Sequence, residues 1–152
     1  MPIDHNHFMR LALEEASRSN AEGNIAVGSV LVQDDTVVAR GRNLVTSTHD
    51  PTAHAETVAL REAGAALQQV DFTGCVLYTT FEPCPMCCGA ILNSKLSTLV
   101  MGARHDPAQA RWAGYTVEKL IDLTGRSTMI EVVTGVLVQA CFDIWRASTT
   151  GR

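Results

Sequence analysis

The sequence lacks any apolar run near the roughly 18–20 residues that a membrane-spanning helix needs. It is also poor in lysine: two of its twelve basic residues are lysines, the net charge is −4, and no basic stripe is present. Proteins that bind nucleic acid usually display such a stripe, so we expect no nucleic-acid partner. The first ten residues contain no basic patch followed by an apolar core, so we expect no secretory signal. We therefore expect a cytoplasmic protein with no membrane partner.

Internal repeats, low-complexity tracts and Gly/Ser/Pro-rich linkers are absent too. A chain of 152 residues suits one domain with a real core, so we expect residues 1–152 to form a single domain. The cysteine count is five, an odd number that argues against a full disulfide framework. Three of the five lie within residues 84–88, and clustered thiols in a reducing compartment more often bind metal or take part in chemistry.

Hydrophobic patterning predicts helices and strands in alternation along the chain. The segment HFMRLALEEASRSN has apolar residues near helical spacing, and two β-branched runs separated by Asp34-Asp35 indicate a hairpin. A capping residue followed by proline at Asp50-Pro51 predicts the start of a helix. The remaining segments, alternately strand and helix, are CVLYTTF, PMCCGAILNS, LSTLVMGA, TVEKLIDL, MIEVVTGVLV and QACFDIWRAS. This order predicts an α/β fold, a three-layer α/β/α sandwich around a mixed sheet.

The clustered cysteines have the spacing of metal ligands. Cys84 and Cys87 are three residues apart, so on a helix they share one face and could bind one ion. Pro83 and Pro85 suit a first helical turn, which places both thiols at the positive end of the helix and favours the thiolate. His54 lies near the start of another predicted helix. We therefore predict an ion between two helix N-termini, with His54, Cys84 and Cys87 as its ligands.

Two thiolates and one imidazole are a donor set that suits zinc. Three protein ligands leave the fourth tetrahedral position for water, which is typical of a catalytic site, and zinc lowers the pKa of that water to about 7. Glu56 would lie about 200° from His54 around an ideal helix, yet both can reach an ion placed beyond the helix end. A carboxylate beside the attacking water, but not bound to the metal, is what a hydrolytic addition needs, so Glu56 is the predicted acid–base residue.

Each of these features also has a purely structural interpretation. A lone Cys-x-x-Cys is a weak signal because buried small thiols are common. A fourth ligand, Cys88 or His49, would close the site and make it structural. Cys88 directly follows Cys87, so its side chain should point about 100° away, into the core. His49 suits a turn, and His105, after a strand end, either lines the site or lies in a loop.

The motifs together resemble a known family. His54-Ala55-Glu56 followed by Pro83-Cys84-Pro85-Met86-Cys87 is similar to the signature of the zinc-dependent cytidine and nucleobase deaminases. The resemblance runs from about Val27 to about Gly102, and more loosely to the end of the chain. The segments VGSVLV, HDPTAHAE, EPCPMC and GAI resemble the branch that contains guanine deaminases, fungal-type cytosine deaminases and tRNA adenosine deaminases.

The resemblance implies a cytidine deaminase-like fold with a mixed five-stranded sheet, one Zn²⁺ per chain, and a homodimer or higher homo-oligomer. It implies hydrolysis of a ring amino group to a carbonyl with release of ammonia, in which Glu56 protonates the ring nitrogen and later the departing amine. Asn43 matches the family's substrate-binding asparagine, although a turn residue at the end of a strand is an alternative. By the same resemblance, the backbone N–H of Ala55 and the backbone carbonyl of Glu82 would contact the substrate.

The substrate is less clearly indicated. HDPTAHAE and GAR (102–104) resemble the tRNA adenosine deaminases, but HDPAQARWAGY stands where those enzymes carry a small-residue stretch. LYTTFEPCPMC is closer to the free-base enzymes, yet the acidic pair usual in guanine deaminases is missing from the segment around Trp112 and Tyr115. These two aromatic residues either stack on a flat ring or pack in the core, and Phe142 and Trp145 have the same alternatives.

We therefore predict a deaminase of a free nucleobase or a related small heterocycle, of guanine or cytosine type. A tRNA adenosine deaminase is the first alternative, and a catalytically silent zinc-binding domain is the second.

Overall fold

The structure, a computed structural model, describes residues 2–106, 108 and 111–150. Six helices and five strands are present in this part of the chain. In chain order they are α1 His5–Ala21, β1 Gly28–Gln33, β2 Thr36–Arg42, α2 Val45–Thr48, α3 Ala55–Leu67, β3 Val76–Phe81, α4 Pro85–Asn93, β4 Thr98–Ala103, α5 Val117–Leu123, β5 Glu131–Val133 and α6 Val138–Thr149. None of the described helices is long and apolar enough to cross a membrane.

The strands form one mixed sheet in the order β2-β1-β3-β4-β5. The hairpin β1–β2 is antiparallel and turns at Asp34 and Asp35, whose φ angles of 49° and 58° are those of a type I′ turn. Strand β1 pairs antiparallel with β3, whereas β3, β4 and β5 are parallel. The predicted fold class, including its five-stranded mixed sheet, is confirmed.

Helices cover both faces of the sheet, because alternate residues of the central strands point to opposite sides. On one face Val30, Tyr78 and Val100 pack with α1 and α6 in one hydrophobic cluster. On the other face Leu31, Leu77 and Leu99 pack with α3, α4 and α5 in a second cluster. These two cores give the three layers, and the second core supports both helices whose first turns carry the predicted metal ligands.

The first turn of α3 lies unusually close to the sheet at Gly41. A Cβ atom at this position would lie 2.2 Å from the carbonyl oxygen of Ala55 and 2.5 Å from the nitrogen of Ala59. Only glycine permits that approach, since real Cβ atoms do not come so near to backbone atoms. Gly41 therefore helps to fix the height of the helix start above the sheet.

Two predicted boundaries are wrong. The helix expected from Asp50-Pro51 begins at Ala55, because the Asp50 carboxylate accepts hydrogen bonds from the backbone and hydroxyl of Thr52 (2.8 and 2.7 Å) and so forms a turn. The strand expected over 129–138 is shortened to Glu131–Val133, at the edge of the sheet next to β4.

Candidate active site

Two helix N-termini meet at the predicted metal centre. His54 is the N-cap residue of α3 and Cys84 is the N-cap residue of α4, each with an extended backbone just before the first helical turn. Pro85 occupies the first position of α4, where a missing N–H costs nothing. Cys87 follows one turn later on the same helix. Three side chains therefore converge on the space beyond the helix ends: those of His54 and Cys84, which precede the helices, and that of Cys87, inside α4.

The donor atoms of these three residues have the spacing that a zinc ion requires. Nδ1 of His54 lies 3.5 Å from Sγ of Cys84 and 3.5 Å from Sγ of Cys87, and the three ligand atoms lie within 4.8 Å of one another. Usual zinc–sulfur and zinc–nitrogen bond lengths at a tetrahedral angle give a sulfur–nitrogen separation of about 3.6 Å. The residues present therefore fit zinc.

The ligands also influence one another's protonation. A hydrogen bond from the Cys87 thiol lowers the pKa of Cys84, and the same bond raises the pKa of Cys87, so the pair holds one thiolate readily. The contact with Cys84 raises the pKa of the His54 imidazole. Cys84 is thus prepared as an anionic ligand by its neighbours, while Cys87 loses its proton when a cation binds.

Glu56 lies in the first turn of α3 and is buried, with only 3% of its surface exposed. Burial raises the pKa of its carboxyl group, and a hydrogen bond from the Thr79 hydroxyl to Oε1 (2.7 Å) partly offsets that increase. A carboxyl group next to three metal ligands is placed to accept and return a proton.

A cavity of about 770 Å³ opens over His54, Cys84 and Glu56. Aromatic side chains form much of its wall, and the rings of Phe81 and Trp145 are stacked with their centroids 4.7 Å apart. Trp112 also lines the cavity and carries the Arg111 guanidinium over its ring at 4.8 Å. The remaining aromatic wall residue is Phe142, on α6. Flat apolar walls above a polar floor are suited to a planar heterocycle.

Asn43 and Ala55 line the same cavity. The side-chain oxygen of Asn43 accepts a hydrogen bond from the backbone of Val45 (2.9 Å), while no described residue accepts a hydrogen bond from its amide nitrogen. Asn43 is therefore a turn residue and a pocket residue at once. Ala55 is the first residue of α3, where backbone N–H groups have no partner within the helix, so its N–H is available at the helix end.

Glu82 has a structural role that the sequence reasoning missed. Its buried carboxylate accepts hydrogen bonds from the Arg104 side chain (3.0 and 3.3 Å) and from the backbone N–H groups of His105 (3.1 Å) and Val117 (3.0 Å). Burial alone would raise the pKa of Glu82, but these donors hold it below its usual value. Because Phe81 pairs with Ala103 in the parallel strands, the residues that follow them, Glu82 and Arg104, meet. The register of β3 against β4 is the signal that would have predicted the contact between Glu82 and Arg104.

Tyr115 does not line the cavity. Its ring packs against the core under α4 and α5, and its hydroxyl donates to the carbonyl oxygen of Pro83 (2.6 Å). Within the segment 105–115, residues 107, 109 and 110 lie outside the described part of the chain. His105 lines the cavity with its Nε2 buried and without a partner among the described residues.

The two candidates for a fourth ligand lie outside the cluster of ligand atoms. Cys88 is buried in the core beneath α4, and His49 ends α2 in a left-handed conformation (φ 55°). Neither therefore closes the site, and the open position that a catalytic zinc needs is retained.

Comparison with known proteins identifies the class. Residues 2–103 match the family described as the cytidine and deoxycytidylate deaminase zinc-binding region, and the chain belongs to this family. It is a zinc-dependent deaminase that hydrolyses C–N bonds, and zinc is its cofactor.

Two kinds of relative stand out. The chain is 35% identical over 148 residues to guanine deaminase from Bacillus subtilis, covering 95% of both chains. It is 49% identical over 96 residues to the chloroplastic tRNA(adenine(34)) deaminase of Arabidopsis thaliana, covering 63% of this chain but 7% of that protein. Among the other relatives, tRNA-specific adenosine deaminases are the more numerous. A solved guanine deaminase from Nitrosomonas europaea superposes with a TM-score of 0.81 at 28% identity, covering 97% of this chain and 85% of that one.

Proposed function

We propose that this protein deaminates a free nucleobase or a similar small aminated heterocycle. The observation that carries the proposal is the stacked pair Phe81–Trp145, which closes one side of the cavity lined by His54 and Cys84. A flat ring can slide along such a wall until its amino-bearing carbon reaches the metal site. Similarity to a guanine deaminase over almost the full length of both chains supports the same substrate class.

In the reaction that we propose, water replaces the amino group, so that a C–O bond forms, a C–N bond breaks and ammonia leaves. Zinc, when bound through His54, Cys84 and Cys87, supplies a water whose pKa is lowered to about 7. Glu56 accepts a proton from the attacking water and delivers it to the ring nitrogen next to the reacting carbon. It then transfers the second proton to the departing amino group. Asn43 and the N–H of Ala55, which line the same cavity, orient the ring.

A tRNA adenosine deaminase is the second candidate, and two observations favour it. Arg111 and Arg146 line the outer part of the cavity, are exposed, and form no ion pair with any described residue. Unpaired arginines at the entrance can bind phosphate groups of a nucleic acid, in spite of the net charge of −4. The numerous tRNA deaminases among the relatives agree with this alternative.

The test is ammonia release from a panel of substrates by the zinc-loaded protein. The panel holds guanine, cytosine, isocytosine, adenine, their nucleosides and a tRNA anticodon stem–loop, with Glu56→Ala as the blank. Release from a free base supports the proposal and names the ring. Release from the stem–loop alone would overturn it in favour of the second candidate. A small-molecule substrate, a homodimer or higher homo-oligomer, and a location in the cytoplasm remain predictions.

A further inference from the structure

A row of small and polar residues crosses the sheet on the side of α3, and one member of this row contacts Glu56. In the strand register, Gly41 lies opposite Ser29, and Ser29 lies opposite Thr79. Directly opposed residues project on the same face of a sheet. The glycine at one end of the row admits the first turn of α3, and the threonine at the other end meets the carboxylate of Glu56.

Thr79 makes a directed contact with this carboxylate. Its hydroxyl oxygen lies 2.7 Å from Oε1 of Glu56 and 3.2 Å from the carbonyl oxygen of Phe81. A hydroxyl group has one hydrogen to donate, and an ionised carboxylate is the stronger acceptor. The shorter distance agrees with donation to Glu56. Thr79 is itself completely buried, so water does not compete for the bond.

A bond to one carboxylate oxygen determines where the other one lies. The glutamate side chain has three rotatable bonds, and anchoring Oε1 against the sheet limits all three. The remaining oxygen then has a defined place in the cavity that Glu56 lines. Proton transfer needs that oxygen within hydrogen-bonding distance of water and substrate, and an error of about 1 Å can cost about 100-fold in rate.

We propose that Thr79 is a positioning residue, which holds the Glu56 carboxylate through Oε1 and leaves the other oxygen to exchange protons with water and substrate. The inference rests on the acid–base role of Glu56 in the proposed function. Among the described residues, the Thr79 hydroxyl forms hydrogen bonds with Glu56 and with the backbone of Phe81 and with no predicted ligand atom, and Thr79 does not line the cavity. It therefore acts through Glu56.

The neighbouring residues supply matched controls. Thr80 is equally buried, but its hydroxyl accepts a hydrogen bond from the backbone of Gly28 (3.1 Å) and has no contact with Glu56. Ser29 is buried on the Glu56 side of the sheet, and its hydroxyl has no partner among the described residues. Thr80→Val therefore controls for the loss of a buried hydrogen bond, and Ser29→Ala controls for the loss of a nearby hydroxyl. Neither variant removes the bond between Thr79 and Glu56.

The experiment compares steady-state kinetics of the zinc-loaded variants on the substrate found in the panel. Thr79→Val should lower kcat roughly 10-fold with KM changed less than about 2-fold, and Thr79→Ser should restore kcat to within about 3-fold of the original protein. Thr80→Val and Ser29→Ala should leave kcat within about 2-fold. An unchanged kcat in Thr79→Val, or an equal fall in Thr80→Val, would overturn the proposal. If Thr79→Val does not fold, Thr79→Ala against Thr79→Ser makes the same comparison with smaller side chains.

A crystal structure of zinc-loaded Thr79→Val gives a readout that needs no substrate. The proposal expects the Glu56 carboxylate to turn away from its place against the sheet, with zinc still present in full. A carboxylate that stays in place would contradict it. A failure of the whole substrate panel with the original protein would instead count against the proposed function, so the two failures are distinguishable.

Discussion

The inner end of the cavity and its rim differ in how firmly the protein holds their side chains. At the inner end, His54, Glu56, Cys84 and Cys87 are attached to the first turns of two helices and have close partners. The rim consists of half-exposed or exposed side chains with few polar contacts. Its members are Arg111, Trp112, Phe142, Trp145 and Arg146.

This contrast indicates a division of tasks. Chemistry that tolerates little error is assigned to groups fixed by helix ends and by the sheet, because regular backbone holds a side chain more precisely than a loop does. We propose that substrate choice depends on a loop and on α6, where replacing a side chain disturbs little of the fold. Relatives with different substrates can therefore share the inner end. The following predictions test this division, beginning with the largest effect.

Removing a ligand should abolish the metal site. Cys84→Ala leaves two donors, so we expect loss of nearly all bound zinc and of measurable deamination. Metal analysis after dialysis and ammonia release measure the two losses. Cys88→Ala is the matched control: this thiol packs in the core, so the variant should retain stoichiometric zinc at a cost of about 1 kcal/mol in stability. Stoichiometric zinc in Cys84→Ala would remove this residue from the ligand set.

Removing the acid–base group should stop chemistry but spare the site. Glu56→Ala should retain zinc and the fold while turnover falls roughly 10²- to 10⁴-fold, the range for a lost proton-transfer group. Zinc content, circular dichroism and kcat are measured on one preparation. Near-normal turnover with full zinc would show that some other group moves the protons.

The Glu82 carboxylate should matter for stability, at the boundary between the two regions. Glu82→Gln weakens the bonds to Arg104 and to two backbone groups, and we expect a loss of about 2 kcal/mol in the free energy of unfolding. Glu118→Gln, which changes the exposed partner of the same arginine, should cost less than about 1 kcal/mol. Equal losses in the two variants would contradict the importance of the buried carboxylate.

This effect should depend on pH in a definite direction. The donors lower the folded-state pKa of Glu82 from its ordinary value of 4.5, so the ionised carboxylate stabilises the fold above that pH. The contribution is lost as the pH falls through the lowered pKa. The free energies of unfolding of the original protein and of Glu82→Gln, measured in urea, should therefore differ most near neutral pH. The two values should converge in acid. A difference that grows below pH 4.5 would contradict the assigned sign.

Changes at the rim should have the smallest effect on the deamination of a free base. Arg146→Gln should leave kcat/KM for a free base within about 2-fold of the original value, because an uncharged ring has no phosphate group for the arginine to bind. With an RNA stem–loop as substrate, the same change should reduce binding several-fold and lower the salt slope by about 1. Arg126→Gln, away from the cavity, is the control. A large effect of Arg146→Gln on kcat/KM for a free base would contradict the division of tasks between the inner end and the rim.

Much of the inner end was predictable from the sequence, because its signals are local. Cys84 and Cys87 are one helical turn apart, and Pro85 marks the start of their helix, so their common face follows from helix geometry. Apart from the short helix α2, the elements and their order follow from hydrophobic periodicity in the same way. The helix expected at Asp50-Pro51 was misplaced because the Asp50 side chain bonds within its own turn, and composition does not distinguish that turn from a cap.

The amino-acid sequence by itself determined the donor set, the metal that suits it and the carboxylate beside it, since these depend on residue type and short spacing. Tertiary structure decided the rest. Parallel pairing of β3 and β4 brings Glu82 to Arg104, and the packing of α6 brings Trp145 onto Phe81. Tyr115 goes to the core and Trp112 to the cavity, although both are aromatic residues of one segment. Such long-range contacts depend on how whole layers of the fold pack together. The local sequence around residues that are far apart in the chain does not show that they will be in contact.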